Sequence, residues 1–173
     1  PILTEHSNHI SLDERLFARV KAVYETTDMS TLTTEEQRLL QKSYDGFARN
    51  GANLSEEGKA KYRELTTALS KATLDFGQNM LKATNAYTLN ITDSTRLKGM
   101  PESALEAAAQ PAKEKGHEGW TFTLHAPSYS PVMMYCEDRD LRRELYMAFN
   151  TQNVQDNENN NEELVKKIAN LRL

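Results

Sequence analysis

Backbone punctuation is scarce in these 173 residues, which hold 7 Gly and 5 Pro, where average usage would supply about 20 of the two together. That excludes a turn-rich β fold and leaves helices. Long apolar runs are missing too: nothing approaches the roughly 18 consecutive apolar residues of a membrane span, and no basic-then-apolar leader precedes Ser7. No membrane partner is expected. The single cysteine, Cys136, rules out an internal disulfide or a multi-thiolate metal site and suits a reducing compartment. A cytoplasmic location is expected, with the periplasm or export left open because an export signal would lie upstream of Pro1. Positive charge is in deficit, 21 Lys plus Arg against 25 Asp plus Glu for a net charge of −4, which argues against binding a phosphate backbone. No nucleic-acid partner is expected. Apolar residues are lean as well, at 38% with a mean hydropathy of −0.70. Either the shape is extended or part of the apolar surface has its partner elsewhere. Exposed apolar stripes are therefore expected on the last helix and on one flank of the longest one.

What is present is helical spacing with start and stop signals. Ser11-Leu12-Asp13-Glu14 has the form of a capping box, and Leu12, Leu16, Val20 and Val23 follow to about Thr26. Thr33 with Glu36 forms a second box ahead of Leu39, Leu40, Tyr44 and Phe47, and Gly51 suits the left-handed stop. Ser55 is placed as an N-cap before Glu56 and Glu57, whose charge favours the helix dipole. Tyr62, Leu65, Leu69, Ala72, Phe76, Met80 and Ala83 then recur at steps of three and four, predicting a helix of roughly 45 Å that reaches about Thr84. The period next changes to two. Tyr87, Leu89 and Ile91 alternate with polar residues, as do Trp120, Phe122 and Leu124, giving two half-buried strands whose pairing is open between parallel and antiparallel. Between them Pro101 suits the start of a helix carrying Ala104, Leu105, Ala107 and Ala108, which Pro111 should kink or end. Pro127 to Pro131 reads as a turn into a short apolar run, Val132–Tyr135, and Asp138 can cap a helix burying Leu141, Leu145 and Phe149. A polar, asparagine-rich loop covers 150–161, and Leu164, Ile168 and Leu171 share one face of a final helix. The predicted fold is mainly α: a helical bundle built on a long central helix (about 55–84) with one small two-stranded β element (about 87–92 and 120–125).

Residues that could carry chemistry are better explained structurally. No H-E-x-x-H string is present, and a metal needs three or four convergent ligands. His6 and His9, with Glu5 nearby, read as a frayed approach to the first helix; His117 sits in a Gly-flanked turn and His125 closes a strand. The acid pairs Glu35-Glu36, Glu56-Glu57 and Glu162-Glu163 each open a helix. Cys136 has no neighbouring cation to activate it and reads as an inert, buried or semi-buried thiol. Arg139, Arg142 and Arg143 read as a solvated helix surface beside acids, and Tyr62, Phe76 and Trp120 as core. No glycine-rich phosphate loop or nucleophile elbow occurs. No residue is nominated as catalytic, cofactor-binding or metal-ligating.

Particular strings say more than composition. Gly51-Ala52-Asn53-Leu54-Ser55, Phe76-Gly77-Gln78-Asn79-Met80-Leu81 with Ala83-Thr84-Asn85-Ala86, Met100-Pro101-Glu102-Ser103, Pro127-Ser128-Tyr129-Ser130-Pro131-Val132-Met133 and the 139–150 helix leading into Asn150-Thr151 together resemble the thimet oligopeptidase and peptidyl-dipeptidase family of zinc metallopeptidases, most closely its bacterial peptidyl-dipeptidase branch. The resemblance runs in order from about Leu32 to Leu171. It implies that residues 1–173 are a single helical fragment of the N-terminal lobe of a larger, two-lobed peptidase. It further implies that zinc and the H-E-x-x-H half lie outside these residues, that this fragment binds no cofactor and is not itself an enzyme, and that it forms a wall of a channel for short peptide substrates. The parent is expected to release C-terminal dipeptides; an oligopeptidase that cuts internally in short peptides is the alternative. A freestanding helical interaction module, binding a partner through the long helix, is the competing class.

Overall fold

Helix starts in this chain are set by short polar side chains that satisfy exposed N–H groups, and the computed structural model, which describes residues 2–173, shows most of them where the sequence places them. Eight α-helices occur among the described residues: α1 (Ile2–Ser11), α2 (Glu14–Thr26), α3 (Thr34–Arg49), α4 (Glu56–Ala86), α5 (Glu102–Glu114), α6 (Ala126–Tyr135), α7 (Arg139–Thr151) and α8 (Glu162–Arg172). Two strands, β1 (Leu89–Ile91) and β2 (Trp120–Phe122), and two short 3-10 turns, Met29–Thr31 and Ser94–Leu97, lie between them. The chain divides into two compact units, residues up to Thr73 together with Ile168–Leu173, and Leu74–Lys167.

In the first unit the Thr33–Glu36 capping box forms as expected, and Gly51 takes a φ of +90° just past the end of α3. Phe17 is buried between Tyr44 and Phe47, with ring centroids 5.8 and 6.0 Å away, while Tyr24 stacks on Tyr44 at 4.2 Å. These aromatic pairs hold α2 against α3. The N-terminal half of α4 is joined to α1 by polar contacts. Thr4 Oγ1 donates to Ser70 Oγ (2.9 Å) and Asn8 Nδ2 donates to Thr66 Oγ1 (2.8 Å). A step of four forward along α1 is matched by four back along α4, which defines an antiparallel helix pair. Lys59 of α4 is 2% exposed, and its ammonium meets Glu14 at 2.5 Å and Glu56 at 3.0 Å.

Two sequence expectations are corrected here. Ser11 does not cap the following helix; it ends α1, and the Asp13 carboxylate caps α2 by accepting from the Arg15 and Leu16 amides. Leu12 is 4% exposed, so its burial fixes the corner between α1 and α2. His6 and His9 therefore lie on a formed helix and not in a frayed approach. That helix docks through Thr4 and Asn8, polar positions that an apolar period does not reveal.

In the second unit β1 and β2 pair antiparallel, with Leu89 opposite Phe122 and Ile91 opposite Trp120. Phe122, Leu124, Val132, Leu141 and Leu145 are nearly fully buried and join Ile91 and Leu97 in one core. Ala108 and Ala112 are buried on α5, small residues that let it approach the sheet closely. Gly119 carries a φ of +86°, and a Cβ there would run into the Ile91 carbonyl oxygen, so the turn into β2 requires glycine.

Proline is more permissive here than expected. Pro111 does not end α5, which runs on to Glu114; the missing donor costs a single bond close to the helix end, where the Pro111 carbonyl still accepts from the Lys115 amide. Residues 127–131, expected as a turn, lie inside α6. Pro127 stands in its first turn, where N–H groups have no partner within the helix, and the burial of Val132 favours continuing past Pro131. Phe149, expected in the core, is 41% exposed and stacks on Tyr129 at 4.7 Å. Of the residues expected in the core, Tyr62, Phe76 and Trp120 are half-buried. Apolar surface is left open on α4 at Leu74 and Leu81 and on α8 at Val165, whereas the Leu164, Ile168 and Leu171 stripe is half-buried.

The Lys59 cluster makes a pH prediction. The hydrogen bonds that the Lys59 ammonium donates to Glu14 and then to Glu56 raise the lysine above its ordinary value, and accepting from Lys59 lowers Glu14. Stability from the lysine is present below its ordinary pKa and is lost as pH rises through the higher folded value; stability from Glu14 is present above its ordinary pKa and is lost as pH falls through the lower folded value. Lys59→Met should therefore flatten the alkaline loss and part of the acid loss in a plot of thermal midpoint against pH. A variant that keeps both limbs unchanged contradicts the assignment.

Candidate functional site

Six asparagines between positions 150 and 161 look in sequence like a polar spacer, yet asparagine side chains can bond their own backbone two residues on and so build turns. Here they do. The Asn159 amide donates to Asn157 Oδ1 and the Glu162 amide to Asn160 Oδ1, each at 2.8 Å. Asn153 closes the loop, its side chain donating to the Asn159 carbonyl while its own carbonyl accepts from the Asn161 amide. Asn161, 3% exposed, fastens the loop to the C-terminal half of α4: Nδ2 donates to the Phe76 carbonyl and Oδ1 accepts from Asn79 Nδ2, both at 3.1 Å. Thr84 Oγ1 adds a bond to Gln152 Oε1 at 2.9 Å.

The strapped loop rims a cavity of about 380 Å³. Its floor is apolar, from Ala83, Ala86, Leu124 and Ala148, and its rim carries the amides of Gln152, Gln155, Asn157 and Asn159 with the phenol of Tyr87. No charged side chain lines it. Burial, followed by the nearby Glu144 charge, pushes the Tyr87 phenol up, so it remains a neutral donor. A site of amides, a phenol and methyl groups can hold an uncharged, hydrogen-bonding chain segment; it supplies no nucleophile and no acid–base pair.

On another face of the same unit, Arg96 Nε pairs with Asp138 at 2.8 Å, and its guanidinium reaches Glu144 at 3.9 Å. Asp138 caps α7 through the Asp140 and Leu141 amides, as expected, and the Arg96 hydrogen bond leads in holding its carboxyl below the ordinary range. Cys136 is buried and its thiol donates to the Arg96 carbonyl at 3.2 Å. Arg142, expected on a solvated surface, is half-buried and donates to the Cys136 carbonyl. Arg96 was not singled out in the sequence; its spacing to Asp138 across 42 residues leaves no local signal.

The structure does not bring the histidines together. His6 and His9 are exposed on α1, His117 is exposed in a turn, and His125 precedes α6, where Nε2 meets Asn85 Oδ1 at 3.0 Å and Nδ1 meets Thr123 Oγ1 at 3.3 Å. Among the described residues no group of three or more His, Cys, Asp or Glu side chains is placed to hold a metal ion. The donor set of the described residues does not fit zinc. Among the described residues no helix is long and apolar enough to cross a membrane.

Comparison with known proteins supplies the lineage. No protein-family model matches the chain. It is 34% identical to oligopeptidase A of Haemophilus influenzae across its whole length, covering 26% of that relative. It is 37% identical to oligopeptidase A of Salmonella typhimurium over 87% of the chain and 22% of the relative, and 31% identical to dipeptidyl carboxypeptidase of Escherichia coli over 98% and 25%. The chain belongs to the thimet oligopeptidase family. It spans about a quarter of the length of the curated relatives it matches.

The loop strap can be tested directly. Asn161→Ala removes the partner of two groups on α4 and should cost about 1–3 kcal/mol in urea unfolding, whereas Asn150→Ala, at an exposed side chain bonded only within its own helix, should cost far less. Equal effects would mean that Asn161 does not fasten the loop.

Proposed function

We propose that residues 1–173 are a non-catalytic segment of the N-terminal lobe of a zinc-dependent oligopeptidase, forming part of the wall that admits short peptides and excludes folded proteins. The observation that carries this reading is the identity of 31–37% to peptidases along nearly the full chain. The uncharged, amide-rimmed cavity of the second unit supports a wall role, since it suits peptide backbone without selecting side-chain charge. In the whole protein, zinc would be held by residues outside this chain, where it would polarise the scissile carbonyl and activate water. The substrates would be short peptides, and the location cytoplasmic.

Relatives at 34–37% identity carry the name oligopeptidase A, and those named dipeptidyl carboxypeptidase stand at 31%, so the oligopeptidase arm is the better supported of the two. Dipeptide release requires recognition of a free C-terminal carboxylate; internal cleavage does not. The whole protein should therefore cut a short peptide and its C-terminal amide at similar rates, while this chain alone, with zinc added, should cut neither. Release of dipeptides from the free acid only would favour the other arm. Hydrolysis by the isolated chain would overturn the non-catalytic reading.

A further inference from the structure

Asn50-Gly51, at the end of α3, sets a side-chain amide beside a backbone nitrogen that can attack it. No other asparagine in the chain precedes a glycine. Glycine lacks the Cβ that would shield its nitrogen, and it leaves the peptide freer to turn. In the reaction the Gly51 nitrogen gives up its proton to water and bonds to Asn50 Cγ, while the Cγ–Nδ2 bond breaks and Nδ2 leaves as ammonia. Water then opens the cyclic imide at either carbonyl. One opening gives aspartate in a normal backbone; the other gives isoaspartate, whose backbone runs through Cβ and Cγ and is longer by one carbon. No electrons are transferred, and water is the sole co-reactant.

The fold keeps these groups from reacting. Ring closure requires the Gly51 nitrogen to stand on the Cβ side of the Asn50 Cα–C bond, whereas a ψ of +20° nearly eclipses it with the nitrogen of Asn50 itself. The Gly51 amide donates to the Ala48 carbonyl at 3.3 Å and Asn50 Nδ2 to the Gly46 carbonyl at 2.7 Å, while Asn50 Oδ1 accepts from the Tyr62 phenol at 3.4 Å. Both reacting groups are thus held by other partners, although the Asn50 side chain is exposed to water. The same turn is packed from within. Gly51 and Ala52 are buried, and a Cβ on Gly51 would lie 3.0 Å from Leu54, 3.2 Å from Leu12 and 3.6 Å from Tyr62. The added backbone carbon of isoaspartate displaces Gly51 from these neighbours. Aspartate replaces the donor to Gly46 with a negative charge at a helix C-terminus, which the dipole opposes.

We propose that Asn50-Gly51 is a self-modification site guarded by the α3 stop: deamidation proceeds through opening of this turn, and its product keeps the turn from closing as before. The test incubates the 173-residue chain at mildly alkaline pH with and without urea, then digests after lysine and follows the 43–59 peptide by mass spectrometry. In urea Asn50 should convert faster than any other asparagine, and in the folded chain it should convert at least about tenfold more slowly than in urea. Asn50→Asp should unfold at a lower temperature than Asn50→Ala, which loses the same amide without gaining charge. Both variants alter an exposed side chain, and circular dichroism checks that their helices are intact. Equal rates with and without urea, faster conversion at another asparagine, or an Asn50→Asp midpoint at or above that of Asn50→Ala would each overturn the proposal.

Discussion

The buried ammonium of Lys59 is the constraint on which the first unit depends. Helix α4 has 31 residues, yet only Lys59 and Ala72 on it are buried. A helix with so little buried apolar surface is not positioned by hydrophobic contact alone. Lys59 fixes it to the start of α2 through Glu14, and the pairs Asn8–Thr66 and Thr4–Ser70 repeat the fastening about two and three turns further along α4. Buried polar pairs of this kind add less to stability than a well-packed core would, but they tolerate one register and penalise others, because a slip would strand a charge or an amide.

The second unit solves the same problem differently. Its core is apolar, closed around Phe122, Leu124, Leu141 and Leu145, and polar side chains act at its margin, where Asn161 fastens an asparagine-built loop to α4. In both units the lean apolar content of the sequence is compensated by side-chain hydrogen bonds with exact partners at long sequence separation. Leu74, Leu81 and Val165 remain uncovered within the chain.

What was legible in the sequence follows from this division. Elements signalled by local chemistry were found: the Thr33–Glu36 box, the Gly51 stop, the Asp138 cap, the alternation that marks β1 and β2, and the long run of α4. Elements held by distant polar partners were not. Helix α1 was missed because Thr4 and Asn8 carry no apolar period, and α6 because two prolines outweighed a local pattern that tertiary burial of Val132 overrides. The loop after α7 was recognised as polar, but its turns depend on which asparagine meets which amide. For the site, the strings shared with the peptidase family were readable, whereas the cavity requires residues that only the Asn161 strap brings together.

On the proposed reading, shape and chemistry are separate: this segment would shape access and contact peptide, and the reacting centre would lie elsewhere in the protein. Zinc stoichiometry by native mass spectrometry tests that separation most directly, comparing the 173-residue chain with the whole protein under the same loading conditions. The account predicts one tightly held zinc on the whole protein and none retained by the chain. Stoichiometric zinc on the chain alone would contradict it.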